Sequence, residues 1–184
     1  MVPRSPCISD VHSVLRCKWS LSIISELADG PTNFSTLARK LGISNKVLAD
    51  KLKRLAACSL VNVVDEVYFL SQDGFNVLET VRPLIMRGIE PIHLSEILKC
   101  RWMRAIILNL MGGAMHPSEM LKTISGLSWK VLSQRLQKLV NMGFVSREII
   151  PSRPVRVRYA LTNRGRMTGY YLMGSQLIFS TGSS

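Results

Sequence analysis

The stretch from Ser128 to Lys138 carries side chains suited to chemistry, and that chemistry is hydrogen bonding to nucleic acid rather than bond making. With Val131, Leu132, Leu136 and Leu139 on one helical face, the opposite face presents Trp129, Lys130, Ser133, Gln134, Gln137 and Lys138. Base edges in a major groove offer donors and acceptors, which polar side chains on an outward helix face can meet. Gln134 and Gln137 suit adenine, Lys130 suits guanine or a phosphate, and Ser128 is placed to cap the helix while its N-terminus faces a phosphate. Arg153, Arg156 and Arg158 concentrate positive charge further on. Because Arg156 and Arg158 alternate with Val155, Val157 and Tyr159, they share one face of a strand. There they are expected to track phosphate or enter a minor groove, with charge protection of a strand edge as the alternative. A parallel stretch offers Asn45, Lys46, Ala49, Asp50, Lys53 and Arg54. Lys46 and Lys53 suit a neighbouring groove, whereas Asp50 opposes close approach to phosphate.

These two stretches occupy matching places in an internal repeat, which also defines the elements that must hold them. At an offset of 83 residues, Leu15, Cys17, Trp19, Ile23, Ile24, Leu27, Gly30 and Ser35 recur as Leu98, Cys100, Trp102, Ile106, Ile107, Leu110, Gly113 and Ser118. At an offset of 84, Gly42, Ser44, Lys46, Val47, Leu48, Leu52, Leu55 and Val61 match Gly126, Ser128, Lys130, Val131, Leu132, Leu136, Leu139 and Val145. After a seven-residue insertion, Tyr68, Leu70 and Gly74 match Tyr159, Leu161 and Gly165. The chain therefore reads as two domains, 1–90 and 91–184, with the boundary near Gly88 to Pro91.

Each copy reads as three helices, a hairpin and a closing helix. Trp19, Ile23, Ile24 and Leu27 form one helix face, which Gly30-Pro31 ends. Phe34 to Leu41 makes a second short helix closed by Gly42, and Ser44 caps a third whose buried face is Val47, Leu48, Leu52 and Leu55. Two helices joined by a tight turn fit the helix-turn-helix pattern. In the second copy, Phe144 to Ile150 and Val155 to Leu161 flank a turn at Pro151 to Pro154, a long basic hairpin. The first copy shortens it to Leu60 to Val64, Asp65-Glu66, and Val67 to Leu70. Closing helices are expected at about Phe75 to Met86 and Met167 to Leu177. The fold class is thus mainly α with small β-hairpins (α+β), as tandem winged helix-turn-helix domains.

Charge points the same way. The chain holds 24 Lys and Arg against 12 Asp and Glu, a net of +12, and its pI is about 10.1. Such an excess draws a protein to polyanions, nucleic acid before anionic membrane. Residues 1–90 hold eleven cations against nine anions, +2; residues 91–184 hold thirteen against three, +10. Attraction to DNA is therefore expected mainly in the second copy. The apolar content of 47% excludes a disordered chain. No apolar leader and no membrane span is read, so a cytoplasmic, nucleoid-associated protein with reduced thiols is expected, with no membrane insertion. Four scattered cysteines and isolated His12, His93 and His116 give neither a metal site nor a catalytic triad, and no cofactor is expected. Trp19, Trp102 and Cys58 read as core. Trp129, outside the apolar stripe, either stacks on a sugar or thymine methyl or packs on the facing domain. Arg135 and Lys51 flank the buried face, either bracing the domain or touching the backbone. Cys7 reads as an inert thiol, with redox sensing as the lesser reading.

The residues resemble the HxlR-type (MarR-like) winged-helix regulators. The resemblance rests on Cys17-Lys18-Trp19 through Leu27 with Gly30-Pro31 and Phe34, on Ser44 to Leu48 and Ser128 to Leu132, and on Pro154 to Thr162 with Gly165. It covers about residues 7–172 and implies a sequence-specific transcriptional regulator without catalytic activity. Three features depart from that family. Two domains stand where one is usual, so the fusion would imitate a dimer within one polypeptide; the first wing is short and acidic; and Cys17 and Cys100 replace a small glycine. Double-stranded DNA is the expected partner, with homo-oligomerisation through terminal helices and a transcription-machinery protein as further candidates. The competing class is a protein-interaction scaffold in a transcription or membrane-remodelling assembly. An enzyme is disfavoured because no Gly-rich phosphate loop, carboxylate pair or nucleophile motif stands out.

Overall fold

Leu21, Ile23, Ile24 and Leu27 leave almost no surface exposed, and the helix that carries them, α1 (Ser20–Ala28), is the spine of the first repeat. The computed structural model describes Cys17, residues 19–151 and residues 155–180, the last with side chains through Gly174. After α1 come β1 (Thr32–Asn33), α2 (Phe34–Leu41), α3 (Asn45–Ala57), β2 (Val61–Val64), β3 (Val67–Leu70), α4 (Gln72–Ile85) and α5 (Pro91–Lys99). The second repeat is built from α6 (Arg101–Leu110), α7 (Pro117–Thr123), α8 (Trp129–Asn141), β4 (Val145–Ile150), β5 (Arg156–Leu161) and α9 (Asn163–Ser180). Helices with two small antiparallel sheets make this an α+β fold of two winged helix-turn-helix units.

Helix boundaries follow local chemistry. The Asn33 carboxamide accepts the Thr36 N–H at 2.9 Å to start α2, and Gly42, with φ +62°, ends it in the left-handed conformation that a side chain disfavours. Ser44 and Ser128 cap α3 and α8, each accepting the N–H three residues on, from Val47 and Val131. The His116 N–H donates to Glu119 at 2.6 Å at the start of α7. The closing helices start earlier than the apolar pattern alone indicates, at Gln72 and Asn163. Ser71 and Thr162 supply the capping oxygens that allow this.

The contacts divide the chain between Lys99 and Cys100, whereas the repeat places its boundary near Gly88 to Pro91. Helix α5 accounts for the difference: it packs on α1 of the first unit, with Leu94 and Ile97 wholly buried. This helix was not expected from the sequence, nor was the two-residue strand β1, which pairs Thr32 with Tyr68 and Asn33 with Val67. The second unit reproduces that pairing as a single bridge, in which Met115 and Tyr159 exchange both backbone hydrogen bonds at 2.9 Å.

One junction recurs in both units and joins the end of the third helix, the root of the wing and the closing helix. The carbonyl of Leu60 accepts the Ser71 N–H, and that of Phe144 accepts the Thr162 N–H, each at 3.1 Å. The Ser71 hydroxyl donates to the Ser59 carbonyl while accepting the Gly74 N–H; the Thr162 hydroxyl donates to the Gly143 carbonyl at 2.7 Å while accepting the Gly165 N–H at 3.2 Å. A Cβ at Gly74 would lie 2.2 Å from the Leu60 oxygen, and one at Gly165 would lie 2.1 Å from the Phe144 oxygen. Backbone carbonyls cannot retreat from such an overlap without losing their hydrogen bonds. Gly165→Ala should therefore destabilise the second unit by about 2 kcal/mol or more, read as a lowered urea midpoint. Gly112→Ala, where the nearest atom is the Asn109 oxygen at 3.8 Å, serves as the control and should change stability by less than about 0.5 kcal/mol. Equal midpoints for the two variants would refute the tight approach.

Candidate nucleic-acid interface

In α8 the apolar stripe is closed inward: Leu132, Leu136 and Leu139 are essentially fully buried. Helical geometry then forces the residues between them outward. Trp129, Lys130, Ser133, Gln134 and Gln137 are exposed, and Lys138 is half-buried at the flank. Trp129 is 60% exposed, so its indole is not used within the unit's own core. The Gln137 amide donates to the Asn141 side chain at 2.8 Å, which orients one of the two glutamines along the helix surface.

The wing of the second unit is a six-pair ladder running from Val145–Leu161 to Ile150–Arg156. Arg156 and Arg158 are exposed and share a face with Glu148, as alternation requires. Arg158 stands directly across from Glu148 and donates to its Oε2 from Nη2 at 3.0 Å and from Nε at 3.2 Å. Its charge is thus partly offset, while Arg156, across from Ile150, has no acidic partner among the described residues. Arg153 lies outside the described residues. Arg147 is a further exposed cation of the wing, paired across the ladder with Tyr159, and sequence reasoning passed over it. The signal was its type, an arginine within the strand expected at Phe144 to Ile150, which the register sets three pairs before Arg156 on the opposite strand.

Three elements converge on an open groove of about 340 Å³, lined by His116, Pro117, Ser118, Trp129, Arg156 and Val157. The Val157 carbonyl can only accept, so His116 Nδ1, 2.7 Å away, donates the proton and ties the start of α7 to the wing strand. The groove is therefore bordered by a tryptophan, an arginine, two polar residues and two apolar ones. That combination suits a phosphate joined to a flat or apolar group.

The matching surface of the first unit differs. Asn45, Lys46, Ala49, Asp50, Lys53 and Arg54 are all exposed on α3. Asp50 Oδ2 receives Lys51 Nζ at 2.7 Å and Arg54 Nε at 3.4 Å. The Lys51 hydrogen bond, aided by the charge of Arg54, holds the Asp50 carboxyl below its usual range despite some desolvation. Lys51 and Arg135 are both half-buried, and Arg135 Nε is buried without a hydrogen-bond partner. Burial pushes the Cys17 thiol up, but hydrogen bonds from Ser20 and the Trp19 backbone and the nearby Lys51 charge outweigh it, leaving a net downward shift. Cys7 lies outside the described residues. At the tip of the first wing, Asp65 and Glu66 both adopt positive φ, +48° and +64°, in a two-residue hairpin turn. Val63 and Val64 beside them are more than half exposed, and this wing carries no cation. Trp19, Trp102 and Cys58 are half-buried rather than fully enclosed, and the Arg101 guanidinium covers the Trp102 ring at 4.0 Å. Among the described residues no cluster of metal-ligating side chains forms, and no helix is long and apolar enough to cross a membrane.

This geometry can be set beside known proteins. The sequence profile described as HxlR-like helix-turn-helix matches the chain twice, at residues 14–84 and 97–173. The chain is 41% identical over 71 residues to an uncharacterized HTH-type transcriptional regulator of Bacillus subtilis, YvaP, covering 39% of this chain and 66% of that protein. It is 39% identical over 70 residues to the HTH-type transcriptional regulator YodB of Bacillus subtilis, covering 38% and 62%. The chain thus spans less than two thirds of the length of each relative. The solved structure of the reduced form of YodB from Bacillus subtilis is 30% identical, with 48% of this chain and 86% of that one covered and a TM-score of 0.43. With both repeats matched by one profile, the chain belongs to the HxlR-like helix-turn-helix family and carries its domain twice in tandem.

Proposed function

We propose that the protein is a double-stranded DNA-binding transcriptional regulator that acts as a single-chain pseudo-dimer in the cytoplasm, on the chromosome. The observation that carries this reading is the convergence at the groove: Arg156 from the wing, Trp129 from the start of α8, and His116 and Ser118 from the start of α7 meet on one exposed surface. A backbone phosphate suits the guanidinium, and the adjoining sugar suits the indole face. Helix α8 beside it presents Lys130, Ser133, Gln134 and Gln137 for base edges, with Lys138 at its flank and Ser128 capping its start. From residue 100 onward the chain holds only two carboxylate side chains, Glu119 and Glu148, and both are engaged, by the His116 N–H and by Arg158. The positive field of this unit therefore meets little internal opposition. In the first unit, Asn45, Lys46 and Lys53 offer a second, weaker contact.

The alternative, a protein-interaction scaffold, draws on the apolar first wing with its exposed Val63 and Val64. Under it, charge reversal at Arg156 and Arg158 leaves function intact.

Fluorescence anisotropy on a labelled duplex across a series of salt concentrations tests the DNA reading. The logarithm of affinity should fall linearly with the logarithm of salt, and Arg156→Ala should weaken binding and flatten that slope by about 0.9, the share of one phosphate contact. Glu148→Gln should do the reverse, tightening binding and steepening the slope, because it releases Arg158. Affinity indifferent to salt and to both substitutions would rule out the interface. Stoichiometric titration followed by native mass spectrometry checks the pseudo-dimer: one chain per specific duplex is expected, and two would show that the fusion does not replace a dimer.

A further inference from the structure

The proposed DNA-binding role leaves open what kind of site is read, and the two reading helices bear on that. A two-fold protein reads a two-fold sequence, because identical surfaces face identical half-sites. Here the matching outward positions differ at nearly every step. Asn45 stands for Trp129, Ala49 for Ser133, Asp50 for Gln134, Lys53 for Gln137 and Arg54 for Lys138, with only Lys46 and Lys130 the same. The contrast of Asp50 with Gln134 matters most, since both side chains are exposed near the middle of their helices.

A carboxylate has acceptors only, whereas a carboxamide has both donors and an acceptor. In the major groove, guanine shows two acceptors, thymine an acceptor and a methyl, and adenine an acceptor beside its amino donor. Cytosine alone presents its amino donor without an adjoining ring-nitrogen acceptor, so a carboxylate is attracted there and opposed at the other bases. Gln134 can instead grip adenine with two hydrogen bonds. Asp50 is also prepared to approach a polyanion: Lys51 and Arg54 both bind Oδ2, and Oδ1 has no partner among the described residues. The two cations screen the carboxylate from phosphates while one oxygen is left to accept.

We infer that the chain recognises a non-palindromic duplex site in which Asp50 selects a cytosine in the half-site under the first unit and Gln134 an adenine in the half-site under the second. This inference rests on the proposed DNA-binding role. A fused chain can therefore impose a direction on its site, which a homodimer of identical reading helices cannot.

Selection from a randomised duplex library with the full-length chain, repeated with Asp50→Gln, is the test. The unsubstituted chain should enrich an asymmetric sequence holding a cytosine in one half, and replacing that base pair should weaken binding by about tenfold. Asp50→Gln should lose the cytosine preference and leave the other half-site unchanged, with its helical content by circular dichroism the same as before. Enrichment of a palindrome would overturn the inference, as would an unaltered preference in the variant. Salt-dependent binding of every duplex without enrichment would overturn it while leaving the proposed role standing. Failure to bind any duplex would remove that role and this inference together.

Discussion

The carbonyl oxygens of Leu60 and Phe144 are the points on which each unit turns. Each receives the N–H that opens the closing helix, while a glycine three residues later lies against it too closely to admit even a methyl group. The neighbouring hydroxyls of Ser71 and Thr162 bind the carbonyls just before, of Ser59 and Gly143, and cap the glycine N–H. Because the third helix ends there and the wing begins there, the junction fixes the wing relative to that helix. A surface made of two elements is only as accurate as the joint between them. The same joint appears twice, from residues that differ in type (Ser or Thr, Leu or Phe) but supply the same donor, acceptor and absence of a side chain.

On that common frame the two units carry different surfaces. In the second, carboxylates are nearly absent and those present are engaged, so the arginines and lysines set the field. In the first, Asp50 draws in Lys51 and Arg54, and the wing ends in Asp65 and Glu66 beside exposed valines. Duplication kept the core positions, such as Ile23 and Ile24 against Ile106 and Ile107, since close packing tolerates little change there. The outward positions diverged because nothing inside the unit restrains them.

Much of the fold was legible because its signals are local. The apolar spacing of Leu48, Leu52 and Leu55, the left-handed Gly42 and the caps Ser44 and Ser128 each act within a few residues. Helix α5 was missed because it owes its burial to α1, far away in sequence, and β1 because two residues carry no periodicity of their own. The candidate site was legible in part. Alternation put Arg156 and Arg158 on one face, but alternation along one strand says nothing of what stands opposite. The register brought Glu148 across from Arg158 and left Arg156 beside Ile150, so two arginines equal in the sequence became unequal in the fold.

By itself the sequence determined the repeat, the order of helices and hairpins other than α5 and β1, the inward and outward faces, and the concentration of charge in the second half. All of these depend on residue type and spacing along one element. Tertiary structure alone decided which groups meet: the groove joining His116, Trp129 and Arg156, the bond from His116 to the Val157 carbonyl, and the turning inward of Lys51 and Arg135. These contacts join residues tens of positions apart, and their distances are set by how packed elements cross rather than by any local propensity.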